Sequence, residues 1–231
     1  MSDIFGETVI AMPPLSLEYL ETLGETVVST FQPEALSRPQ PIKVREWIDD
    51  LLPRFGIHVM PASYEELGER VAVTYAGADA ESEILVSPWI YDNLADEERP
   101  HFARSTVIHE LAHAILHVPL LRNRRDGSLE TTKRLDRRQL AEASDPEWQA
   151  WALAGAILMP RRTIAMLPDR SPRSVADAFF VSQKFAEVRL ERLAVLTGAD
   201  LGHCEGTDAE LAQSGRLAGL VRWESTQGKK E

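Results

Sequence analysis

The stretch Val107-Ile108-His109-Glu110-Leu111-Ala112-His113-Ala114-Ile115-Leu116-His117 decides how this chain is read. Its apolar members, Val107, Ile108, Leu111, Ala112, Ala114, Ile115 and Leu116, cover most of a helix circumference. This predicts a central, mostly buried helix from Pro100 to His117, stopped by Pro119. Residues four apart share a face, so His109 and His113 can address one ion at the roughly 2.0–2.1 Å of a Zn–N bond. Glu110, one position on, cannot share that direction and suits a general base that takes a proton from water beside the ion. Ionisable groups on a buried helix need a compensating partner, and zinc hydrolysis is the chemistry that this pattern implies.

A third ligand has several candidates. His117 continues the series, but about 12 Å of helix axis separates it from His109 at ~1.5 Å per residue, so one ion cannot bind all three. It reads as packing or as support for a ligand. His101 meets the same objection and is assigned a structural role. Glu147 stands at the entrance of a second helix, Pro146 to Met159, with Ser144 or Asp145 as cap, Pro146 at its first position and Pro160 as its stop. It can approach from another direction and is preferred to any acid of the 122–143 stretch. Trp148, Ala150, Trp151, Leu153, Ala154, Ala156, Ile157 and Leu158 point all around that helix, and its small residues allow close packing on the first.

Composition bounds the alternatives. The 231 residues, 44% hydrophobic and 26% charged, are those of an ordinary soluble protein rather than a disordered or fibrous one. A net charge of −11 argues against broad electrostatic binding to nucleic acid or anionic lipid. The N-terminus shows no cationic region followed by an apolar run, and the apolar segment Ala150 to Met159 is far shorter than the roughly 20 residues of a membrane span. A soluble, unexported, cytoplasmic protein without a membrane partner is expected. Cys204 is the single cysteine, so a metal must be held by histidines and carboxylates.

In chain order, Met1 to Pro14 reads as an extended or poorly ordered lead-in. Leu17, Leu20, Leu23, Val27, Val28 and Phe31 mark an amphipathic helix capped by Ser16, and Val44, Trp47, Ile48, Leu51 and Leu52 mark a second that stops near Pro53. Ile57 to Met60, Val71 to Tyr75 and Glu83 to Ser87 have strand character, the last pair antiparallel. Pro88 to Arg99 reads as a surface connection. Leu121 to Ala143 reads as a polar loop with a cationic concentration at Arg122, Arg124, Arg125, Lys133, Arg134, Arg137 and Arg138. Val175 to Leu196 reads as two helices joined by a tight turn, and a loosely attached polar tail with Trp223 follows Gly198.

Two segments carry a resemblance. Arg99 through His117, and Glu147 through Pro160 with its Ile157-Leu158-Met159-Pro160 ending, resemble the paired motifs of the ImmA/IrrE family of metallo-endopeptidases. The similarity extends over roughly residues 40 to 197. Trp151 stands where the family usually has Asn or Asp, and Leu153 where Phe is usual. These departures bear on packing and ligand support rather than on the ligands. The resemblance implies an α+β fold, a minimal zincin-like core of a small, mainly antiparallel sheet packed on helices, with a C-terminal helical extension. It implies Zn²⁺ held by His109, His113 and Glu147, with Glu110 as catalytic base. Its implied substrates are regulatory proteins, notably helix-turn-helix (XRE-type) repressors in stress response, mobile-element or toxin–antitoxin control. Many members carry their own N-terminal helix-turn-helix; none is legible here, so the repressor is expected as a separate chain.

The organisation expected is a lead-in and first helix (1–40), a metallopeptidase domain (41–171), a helix-turn-helix-like extension (172–197) and a tail (198–231). The strand at Glu83 to Ser87 is expected to be an edge that receives an extended substrate. Tyr91, His101 and the loop arginines are candidate oxyanion donors. The alternative is a zinc-binding, non-proteolytic regulatory or binding module acting through 172–197, where Ser182 caps a helix bearing Lys184, Arg189 and Arg192. Glu187 and Glu191 interrupt that basic face, so direct nucleic-acid binding is not expected.

Overall fold

A computed structural model describes residues 8–77, 81–94, 101–125, 134–137 and 140–198. Within the lead-in, strand β1 (Thr8–Ile10) is formed, and the Ser16 hydroxyl accepts from the Tyr19 amide at 3.1 Å to start helix α1 (Leu17–Phe31). Helix α2 (Val44–Glu46) runs on through a widened turn at Trp47–Leu51 and a tightened one at Leu52–Phe55. It ends on Gly56, whose φ of 68° is the left-handed conformation that glycine adopts at no steric cost. Trp47, 1% exposed, meets Phe31 edge-on and anchors this segment in the core.

Strand β2 (Ile57–Pro61), the single-turn helix α3 (Tyr64–Leu67), strand β3 (Ala72–Ala76) and strand β4 (Ser82–Val86) follow. The three strands form one sheet in the order β2-β4-β3. β3 and β4 are antiparallel as expected, but β2 and β4 are parallel, so this sheet is mixed rather than mainly antiparallel. The strand around Glu83 to Ser87 is therefore the centre of the sheet and not its edge. The reason lies in burial: Ile84 and Val86 are fully buried, and the strand with the deepest apolar face takes the position with a neighbour on each side. The outer edge of β3 has no strand beside it among the described residues.

The stretch expected as a surface connection begins with helix α4 (Pro88–Asn93), capped by the Ser87 hydroxyl and burying Ile90. Helix α5 (His101–Leu116) is followed at once by α6 (Val118–Arg125), because Pro119 falls in the first turn of α6, where a missing N–H costs nothing. The expected polar loop thus opens as a helix. It also contains strand β5 (Arg134–Asp136), antiparallel to β1, and a turn at Glu142–Ser144. Among its cations only Arg122 and Arg137 have described side chains.

Helix α7 (Pro146–Leu158) is capped by Asp145, and α8 (Arg161–Ile164), α9 (Pro172–Phe179) and α10 (Gln183–Gly198) complete the described chain. The expected tail, with Cys204 and Trp223, lies outside the described residues beyond Gly198. α5 packs along α7, α1 packs along another face of α7, and β3 and β4 lie on α5. A Cβ added to Gly24 would stand 2.6 Å from the Ala156 Cβ, so α1 and α7 approach backbone to backbone. Among the described residues no helix is long and apolar enough to cross a membrane.

Arg189 ties α10 to this core. It is 1% exposed, donates to the Met159 carbonyl from Nε (3.1 Å) and Nη2 (3.0 Å), and pairs with the buried Glu21 of α1 through Nη1 and Nη2. Arg104 of α5, also buried, donates from Nε to the Phe180 carbonyl in the α9–α10 turn, and burial lowers its pKa to about 10. The basic face that the sequence suggests on α10 is thereby dispersed. Arg189 is inside, Arg192 lies over the Trp148 ring at 5.7 Å, and Lys184 is paired with Glu187 at 2.8 Å.

Candidate functional site

α5 and α7 bring His109, His113 and Glu147 together. His109 Nε2 lies 3.2 Å from Glu147 Oε2, His113 Nε2 lies 3.3 Å from Glu147 Oε1, and the two ring nitrogens are 3.1 Å apart. The histidines are neighbours because four residues make one turn of α5, and Glu147 meets them because the first turn of α7 crosses beside that turn. Exposure rises across the group, from 8% for His109 through 18% for His113 to 36% for Glu147, so it opens to solvent on one side. Hydrogen bonds from His109 and then His113 hold the Glu147 carboxyl well below the usual carboxylate range. Its main chain is fixed as well. The Glu147 amide donates to Asp145 Oδ1 at 2.9 Å, while Arg137 Nε donates to Asp145 Oδ2 at 2.8 Å.

These three groups could hold one metal ion. Around a tetrahedral ion with bonds of about 2.0–2.2 Å, neighbouring donor atoms sit about 3.3–3.6 Å apart, close to the 3.1 Å between the two imidazole nitrogens and to the 3.2 and 3.3 Å that each keeps from its own oxygen of Glu147. Two neutral imidazoles and one carboxylate are also a donor set of catalytic zinc.

Glu110 lines the same pocket, whose volume is about 420 Å³. The Thr74 hydroxyl of β3 lies 2.6 Å from Glu110 Oε2 and 3.0 Å from its main-chain carbonyl. Arg70, Ala72 and Val73 continue the β3 side of the pocket, Val118 and Leu121 of α6 line another, and Arg137 also lines it. Among the suggested oxyanion donors, Arg137 lines the pocket, whereas Tyr91 accepts from Arg45 and His101 packs against Phe180.

His117 is 3% exposed and lines the pocket. Its Nδ1 is 2.9 Å from His113 Nδ1 and its Nε2 is 3.0 Å from Gln149 Oε1. Burial, then the neighbouring His113 ring, lowers its pKa to about 3. His109 has a different neighbour: Trp151 stacks on it with ring centroids 4.2 Å apart, and Phe185 of α10 meets Trp151 edge-on at 5.5 Å. The buried Nδ1 of His109 has no hydrogen-bond partner among the described residues. The sequence reading missed Thr74, Gln149 and Arg70, since none stands at a motif spacing. Trp151, one of the two departures noted in the sequence, is the residue that stacks on His109.

Residues 92–191 match the family model Peptidase_M78, the IrrE N-terminal-like domain. The matched span includes α5, α7 and most of the α9–α10 hairpin, and so all of His109, Glu110, His113 and Glu147. The IrrE-like match carries the resemblance seen in the sequence and supports a metallopeptidase in general. No curated protein and no solved structure matches the chain.

Proposed function

We propose that the protein is a zinc-dependent endopeptidase in which His109, His113 and Glu147 hold the ion and Glu110 is the general base. The observation that carries this reading is the convergence of two imidazoles and a carboxylate at 3.1–3.3 Å beside a Glu110 carboxylate held at 2.6 Å by Thr74. When bound, the ion supplies Lewis-acid polarisation of the scissile carbonyl and acidifies a water. Glu110 takes that water's proton and returns it to the departing amine, so one carboxylate closes the proton balance as the C–N bond breaks. Thr74 keeps the carboxylate facing the pocket. The outer edge of β3, rather than the central strand β4, offers main-chain N–H and C=O groups to an extended substrate.

The substrate of this proposal is a regulatory protein, a separately encoded helix-turn-helix repressor, cut in the cytoplasm. The family resemblance supports that class. In this reading 41–171 is the peptidase unit and the 172–197 helices buttress it. Co-expression with a candidate helix-turn-helix repressor, sought first among the genes beside this one, tests the proposal. Cleavage is expected with the wild type and lost with Glu110→Gln, which keeps its zinc. Unaltered proteolysis in that variant refutes the assignment of the base, and zinc-loaded wild type that leaves the repressor intact removes the substrate class.

A further inference from the structure

His109 and His113 turn their Nε2 atoms toward Glu147, yet unlike devices hold them there. Behind His113 runs an unbroken chain of hydrogen-bonding groups that begins at main-chain carbonyls. The amide nitrogen of Gln149, a residue 1% exposed, lies 2.9 Å from the Pro13 carbonyl and 2.5 Å from the Ala143 carbonyl. Both carbonyls can only accept, so the nitrogen faces them and Oε1 faces His117. The orientation is stiff because the segment carrying Pro13 is itself laced to the segment carrying Ala143. Met12 N–H donates to the Ser144 carbonyl at 3.0 Å and Leu15 N–H to the Ala143 carbonyl at 2.9 Å.

From that fixed oxygen the protons follow in sequence. Gln149 Oε1 accepts, so His117 Nε2 carries a hydrogen. In the neutral ring His117 Nδ1 is then the lone-pair nitrogen and accepts from His113 Nδ1–H at 2.9 Å. With a hydrogen held on Nδ1, any proton that His113 gives up when an ion binds is the one on Nε2, which faces Glu147 at 3.3 Å, so Nε2 is the nitrogen left to bind the ion. We propose that His117 and Gln149 are positioning residues that fix the ligand tautomer and ring orientation of His113, with Pro13 and Ala143 as the origin of the chain. Among the described residues His109 has no such chain and is held by stacking on Trp151. The inference deepens the metal reading and rests on it. Outer partners of this kind are worth about 10–100-fold in metal affinity.

Two measurements test it. In the metal-free protein, two-bond ¹H–¹⁵N imidazole spectra are expected to show His117 with hydrogen on Nε2, and Gln149→Met to lose that preference. His117 with hydrogen on Nδ1 overturns the chain. In zinc competition against a chelator, His117→Phe, which keeps the ring volume, is expected to weaken binding about 10–100-fold. His117→Asn, whose Oδ1 can stand in for Nδ1, recovers most of it. Equal affinity in wild type and His117→Phe, or an equal loss in both variants, overturns the positioning role. A wild type that binds no zinc sinks the metal reading, while the imidazole spectra still judge the hydrogen-bond chain.

Discussion

Among the described residues, Glu110 has one side-chain partner, the Thr74 hydroxyl at 2.6 Å. A hydrogen bond to a charged group is worth about 1.5–3 kcal/mol, and its loss frees the carboxylate to turn away from the pocket. Thr74→Val keeps shape and removes the donor. The proposed role of Glu110 predicts a kcat about tenfold lower with little change in KM, each tenfold being about 1.4 kcal/mol. An unchanged kcat in repressor cleavage would show that another group holds Glu110. No sequence pattern could have singled out Thr74. It lies 36 residues from Glu110, and threonine in a strand is unremarkable until the strand is seen to lie on α5.

At the scale of helices, the close approach of α1 to α7 sets two effects of Gly24→Ala against each other. Helix propensity favours alanine by about 1 kcal/mol. Against it, the new Cβ would lie 2.6 Å from the Ala156 Cβ and 3.1 Å from the Ala156 main-chain carbon, which sits in a buried helix with no room to retreat. Overpacking typically costs 1–3 kcal/mol, and overlap with backbone belongs at or beyond the upper end. A net loss of about 1–2 kcal/mol is expected, read as a lower urea midpoint at constant m-value. Ala156→Gly in the same background should return part of it. A midpoint that rises with Gly24→Ala would mean that the helices separate at little cost.

For the molecule as a whole, the buried Glu21–Arg189 pair joins the first described helix to the last and so closes the core. Arg189→Met leaves a buried carboxylate without its partner, and removing one half of such a pair costs about 3–5 kcal/mol. The double variant Glu21→Leu, Arg189→Met removes both charges and is expected to recover most of that loss in thermal unfolding. Equal instability of single and double variants would show that packing of the Arg189 stem, rather than its charge, holds α10. The single variant should also loosen Phe185 from Trp151, and through it the stacking that holds His109.

The sequence by itself determined the helices that carry the site, paired His109 with His113, and preferred Glu147 among several acids as the group that meets them. An apolar surface interrupted by His109, Glu110 and His113, and a capped helix opening at Glu147, are local patterns governed by helical periodicity and capping, both short-range. Tertiary structure alone decided what surrounds them. The place of β4 inside its sheet, the mixed strand directions, the Thr74 contact to Glu110 and the reach of Pro13 to Gln149 all join residues far apart in the chain. No periodicity links such residues. Their partners are chosen by which faces are buried together and by the need of each buried polar group for a hydrogen bond. The lead-in shows the difference most plainly. As sequence it is a proline-containing stretch without pattern; in the fold the Pro13 carbonyl accepts from the side chain that orients His117.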